Sequence, residues 1–199
     1  MLRKNELKAL QGAVSKDQTR MNLSYAFGAD YAGVRYVAAT DGSILVAVPY
    51  AGCPLGPVLL GKDGRAMSLA GESRSPDVSA VIPTNRLSGK LDLGSNKFAW
   101  TRKLGRVSAG PAPGVALGLS LDGPRACVSK VLMSEDFAED ADERPYVDAA
   151  LFGRCLLAFE DFADDVCMDI GGRLDPVKLS RVGGPIAVVM PVQMRQGYK

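Results

Sequence analysis

Turn signals at short, regular spacing constrain this chain more than any other property it has. Thr40-Asp41-Gly42-Ser43 separates the apolar runs 34–39 and 44–48, and Lys62-Asp63-Gly64 separates 58–60 from 66–69. Gly94-Ser95-Asn96 stands between 90–93 and 98–101, and Asp122-Gly123-Pro124 between 115–121 and 126–132. An Asp-Gly pair supplies the positive φ of a tight primed turn, so each of these units reads as a hairpin. Many short strands joined in this way predict antiparallel sheet rather than βαβ units. Three more strands are expected at 166–170, 176–179 and 186–192, punctuated by Gly171-Gly172 and Gly183-Gly184. Met21, Leu23 and Tyr25 alternate with polar or small residues and predict another.

Only two segments carry a helical period. In residues 2–14, Leu7, Leu10 and Val14 share one face while Lys4 and Lys8 share another. In residues 146–162, Val147, Leu151, Cys155 and Ala158 form the apolar stripe. Residues 105–114, with Pro111 and Pro113, read as a linker, and 134–143 as an acidic loop or helix approach. The fold class expected is α+β, with both halves of the chain holding a helix followed by strands.

The 199 residues are enough for one large domain or two small ones. An apolar fraction of 47% and a charged fraction of 23% are ordinary for a globular protein, and every apolar run is strand-length. The first residues lack the apolar core of a secretory signal, so a cytoplasmic protein is expected. Four scattered cysteines and no histidine disfavour a structural zinc site and remove the commonest general base. Neither a metal nor a cofactor is implied. A net charge of +2 permits contact with nucleic acid without arguing for it.

The individual motifs have plain readings. Asp41 could be a catalytic carboxylate, but without a partner acid it reads better as a turn residue. Gly61-Lys62-Asp63-Gly64 lacks the Walker pattern of a phosphate loop. Lys4 and Lys8 could meet phosphates or only water. Trp100 fits a core position better than a base-stacking platform. An enzyme with an unrecognised carboxylate or cysteine site, or an assembly protein, stays open as an alternative.

Several tracts in a fixed order resemble the bacterial beta sliding clamp, the processivity factor of the replicative DNA polymerase. Residues 7–49, with Thr19-Arg20-Met21-Asn22-Leu23 and Ala39-Thr40-Asp41-Gly42, are similar to the start of that family's middle domain. Ser75-Pro76-Asp77-Val78 and Val81-Ile82-Pro83 resemble the segment that closes it. Tyr146-Val147-Asp148-Ala149-Ala150-Leu151, Asp175-Pro176-Val177-Lys178-Leu179 and Val188-Val189-Met190-Pro191 resemble the last domain's helix and final two strands.

The resemblance implies a DNA-clamp-like fold: antiparallel sheets with two helices packed on one side. It implies one clamp-like unit over 1–199, with halves 1–85 and 86–199, or else two reduced clamp domains. It also implies a non-catalytic protein that tethers replication or repair enzymes to DNA. The partners implied are a DNA polymerase or other clamp-binding proteins, double-stranded DNA without base specificity, and further copies of the chain. A cleft for short linear peptides would be walled by Thr40, Leu45, Pro83, Val188 and Met190. Such a ligand, with a few apolar anchors, needs a mostly apolar concave patch, and methionine adapts its shape to several. Arg3, Lys4 and Lys8 would face DNA phosphates. An adaptor or decoy with the clamp fold that does not encircle DNA is the alternative. Where the family has a histidine and an arginine after Thr-Asp-Gly, this chain has Ser43 and Ile44.

Overall fold

The structure, a computed structural model, describes residues 1–17, 19–69, 75–83, 146–159, 161, 166–170 and 174–192. It also describes the backbone of five short strands between 87 and 127. The chain opens with α1 (Lys4–Ala13), followed by β1 (Ala26–Tyr31), β2 (Val34–Thr40), β3 (Ile44–Pro49), β4 (Gly56–Leu60) and β5 (Ala66–Ser68). After the single turn α2 (Val78–Val81) come β6 (Leu87–Leu91), β7 (Ala99–Thr101), β8 (Arg106–Ser108), β9 (Ser120–Asp122) and β10 (Arg125–Cys127). Then follow β11 (Tyr146–Asp148), α3 (Ala149–Leu156), β12 (Val166–Ile170), β13 (Val177–Ser180) and β14 (Ile186–Val189).

Among the described residues, nine strands form one sheet in the order β5-β4-β1-β2-β3-β14-β13-β12-β6, antiparallel at each junction. The three strands on each side of the seam between β3 and β14 mirror one another. Helix α1 is followed by β1, β2 and β3, helix α3 by β12, β13 and β14, and the two sets meet at their last strands. The shared grammar of the two halves is therefore a topological repeat without a sequence repeat.

Strand alternation sorts side chains onto two faces. One buries Val37, Ala39, Ile44, Val46, Met168, Leu179 and Val189 against Leu10 and Ala13 of α1 and Phe152, Cys155 and Phe159 in and after α3. Each large side chain here that leaves water entirely contributes about 1.5–3 kcal/mol, so this two-helix layer dominates stability. The helices run in opposite directions. Arg3, at the start of α1, pairs with Asp161 beyond the end of α3 at 3.7 Å, while Gly12 and Val14 share a cleft with Arg154. The other face buries a smaller cluster, Phe27, Tyr36, Ala38, Leu45, Ala47, Ile186 and Val188, beneath Val78 and Ile82. The expected arrangement of two helices on one side of antiparallel sheet is present, with α2 added on the opposite face.

Helix ends follow their capping groups. Arg3 N donates to Glu6 Oε2 at 2.7 Å, fixing the first turn of α1 two residues beyond the expected start. Asp148 Oδ1 accepts from Ala150 N at 2.8 Å and Leu151 N at 3.0 Å, which starts α3 at Ala149. Residues 146–148, expected as helix, are instead strand β11, paired with β10.

Three other expectations are corrected. Residues 21–23 form a 3-10 turn, and the strand begins at Ala26; Leu23 N donates to Arg20 O and Ser24 N to Met21 O, leaving Met21 exposed. The linker read at 105–114 contains β8, which pairs with β7. Strand β6 pairs with β12 and β7 with β8, so neither joins the other as a hairpin across 94–96. The loop at 94–96, the acidic run at 134–143 and the side chain of Trp100 lie outside the described residues. The hairpin at 62–64 forms as expected, and β9 pairs antiparallel with β10.

Candidate functional site

The Thr40-Asp41-Gly42 turn is built by its own side chains. Asp41 Oδ1 accepts from Ser43 N at 2.8 Å and Ile44 N at 3.0 Å, while Thr40 Oγ1 donates to Ile44 O at 2.6 Å and accepts from Gly42 N at 3.1 Å. Only Gly42 takes a positive φ, 92°. The turn is thus an Asx loop closed by a carboxylate, not the two-residue primed turn that Asp-Gly predicts. The chain does make a two-residue turn with both φ values positive, at Ala32 (49°) and Gly33 (76°) between β1 and β2. Alanine is an unusual residue there, which is why composition did not reveal it.

The seam brings the two distant tracts together. Leu45 pairs with Thr40 on one side and Val188 on the other, so the three side chains make one row on the same face. Met190 N donates to Ser43 O at 2.8 Å, extending the pairing past the end of β14. Leu45 and Val188 are each only 1% exposed, Thr40 is 8% exposed, and Met190 stands at the rim at 39%. Pro83 follows Ile82, which packs in the cluster that holds Leu45 and Val188. Thr40, Leu45 and Val188 therefore share one face, with Met190 just past the end of β14 and Pro83 next to Ile82; α2 meets the sheet at β1.

The same row continues into polar ground that the sequence did not flag. Val188 pairs with Lys178, and Lys178 with Asp169. Lys178 Nζ lies 2.5 Å from Asp169 Oδ2, with the side chains 19% and 11% exposed. With so little solvent contact, the desolvation cost of such an ion pair offsets most of its attraction.

The helix layer presents Arg3, Lys4 and Lys8 to solvent. Asp148 is engaged in capping α3, and Asp161 faces Arg3. At the far end of the helix pair, a cleft of about 290 Å³ is lined by Val14, Lys16, Asp17, Arg20, Asp41, Ser43 and Arg154, with Gly12 and Ser15. Arg20 Nη1 donates to Asp41 O at 3.2 Å and Nε lies 3.8 Å from Asp17 Oδ2, tying the 3-10 turn to the Asx loop. Thr19 donates its hydroxyl and its N–H to Asp17, which holds that carboxyl below the ordinary aspartate range. Among the described residues no group of three or more Cys, Asp or Glu could hold a metal ion. No helix there is long and apolar enough to cross a membrane.

The architecture has solved counterparts. The chain aligns over 96% of its length with DNA polymerase III subunit beta from Borrelia burgdorferi, at a TM-score of 0.56 and 12% identity. The chain has the sliding-clamp fold. The beta sliding clamp of Caulobacter crescentus aligns over 97% of this chain at a TM-score of 0.53 and 16% identity. The DNA polymerase sliding clamp of Bacillus subtilis aligns over 96% at 0.51 and 10%. The chain spans about three fifths of each clamp, 61%, 64% and 62% of their lengths respectively. No family model and no curated protein matches the sequence.

Proposed function

We propose that this clamp-fold protein is a non-catalytic tether that holds DNA-processing enzymes through short linear peptides. The observation that carries this is the row Thr40–Leu45–Val188 with Met190 at its rim, assembled from both ends of the sequence on one apolar face of a clamp fold. On this reading the chain is one clamp-like unit, since a single sheet runs from β5 to β6 through both halves. Arg3, Lys4 and Lys8 on the helix layer contact DNA phosphates, and several copies assemble into a ring. A polymerase or another clamp-binding enzyme supplies the peptide.

The test for the cleft is fluorescence anisotropy with a labelled short peptide carrying leucine and phenylalanine anchors. Met190→Ala removes a rim side chain without opening the core and is expected to weaken binding about tenfold, the size of a moderate hot spot of about 1.4 kcal/mol. Equal affinity of both proteins overturns the assignment of the rim. The adaptor reading, a clamp fold that does not encircle DNA, is the alternative. Light-scattering mass decides between the two: a monomer at high concentration excludes a preformed ring.

A further inference from the structure

The cleft at the far end of the helix pair gathers basic groups from three separate elements: Lys16 after α1, Arg20 before the 3-10 turn, and Arg154 on α3. Its two acids are committed to the chain's own donors. Asp41 Oδ1 accepts from Ser43 N and Ile44 N, and Asp17 Oδ1 accepts from the Thr19 N–H and hydroxyl. Arg20 is fixed by its bond to Asp41 O and by Asp17 Oδ2 at 3.8 Å, which leaves Nη2 to donate elsewhere. Among the described residues the side chains of Lys16 and Arg154 make no ion pair or hydrogen bond.

Gly12 is a second, independent observation. It stands near the end of α1, where glycine costs a helix stability relative to alanine. No positive φ calls for glycine there, and a Cβ would meet no atom within 4 Å. The chain itself therefore excludes no side chain at this position; the flank of the helix lies open to the cleft it lines. Glycine is the residue that lets backbone and ligand approach closely.

From the open flank and the unpaired cations together we infer that this cleft of about 290 Å³ binds a phosphate group. A phosphate presents an acceptor oxygen to each of the three donors, which a carboxylate, with two oxygens, does not. Arginine holds phosphate through paired N–H bonds, and lysine adds a point charge. The source is either the DNA backbone or a small phosphorylated molecule. The site is independent of the peptide face and of ring closure.

The experiment is an amide-shift titration of the full chain, with inorganic phosphate, a mononucleotide and a short DNA duplex as separate probes. Saturable shifts are expected at Gly12, Ser15, Asp17 and Ser43, which line the cleft. Lys16→Gln with Arg154→Gln is expected to weaken binding at least about tenfold. Gly12→Leu, which retains every charge and fills the open flank, is expected to do the same. The charge-matched pair Lys62→Gln with Arg65→Gln, at an exposed hairpin, is expected to bind as the unmodified chain does. Circular dichroism confirms the fold of each variant. Unchanged affinity in either cleft variant, or an equal loss in the hairpin variant, overturns the site, since diffuse surface charge would then account for binding. Shifts at these amides by the duplex place the DNA backbone in the cleft; shifts by phosphate or the mononucleotide alone make it a small-molecule site. No saturable shift with any probe overturns the phosphate assignment and leaves the peptide reading untouched.

Discussion

Gly28 shows how one missing side chain positions the edge of the sheet. A Cβ at this position would lie 1.8 Å from the carbonyl oxygen of Pro54 and 2.9 Å from Cys53 Sγ. The oxygen belongs to backbone, so nothing flexible can yield. Arg35 holds the same loop from the other side, donating through Nη1 to Cys53 O at 2.8 Å while Nε and Nη2 bond Asp30. Burial pushes the Cys53 thiol up to about 11, so it stays protonated and unreactive at neutral pH. Gly28→Ala is expected to cost about 1–3 kcal/mol, the usual penalty of overpacking, read as a lower urea midpoint at unchanged slope. An unchanged midpoint would show that the 53–54 loop moves freely.

At the level of elements, side chains that close their own turns set the boundaries, though of three such aspartates only Asp41 was read in the sequence as a turn residue and the cap at Asp148 was missed. Asp41, Asp77 and Asp148 each sit ahead of backbone donors two or three residues on, and each begins or ends an element as that chemistry dictates. What misled was alternation alone: Met21, Leu23 and Tyr25 carry the period of a strand, but residues 21–23 close a 3-10 turn. The turn α2 was hidden because four helical residues leave no period to read. The Asp77 cap also gives a pH test. Bonds from Ser79 Oγ and then Ser79 N hold the Asp77 carboxyl below its ordinary value of 3.8. Because the folded value is depressed, the contribution of the cap is present above 3.8 and is lost only as pH falls through that lower value. The Ile82 amide resonance is therefore expected to titrate with a midpoint under 3.8; a midpoint at or above it would mean that Asp77 does not cap α2 in solution.

On the scale of the whole molecule, the placement of charge was only half visible beforehand. Spacing put Lys4 and Lys8 together, while the capping use of Asp148 and the pairing of Asp161 with Arg3 emerge only from the packed helices. If the helix layer meets duplex DNA, Lys4→Ala with Lys8→Ala is expected to lower the slope of log K against log salt by about 2, without altering sequence preference. A slope identical to that of the unmodified protein would remove α1 from the DNA face. The juxtaposition at the seam between β3 and β14 was reached through the resemblance alone, since no local pattern names a partner so distant along the chain. It also has a kinetic consequence. Until residues 186–189 have been synthesised, β3 presents an unpaired and strongly apolar edge. The closure entropy of that long loop must be met before its contacts stabilise anything. Productive folding should therefore be slow and strongly dependent on protein concentration, with refolding yield limited by edge-to-edge association of half-made sheets.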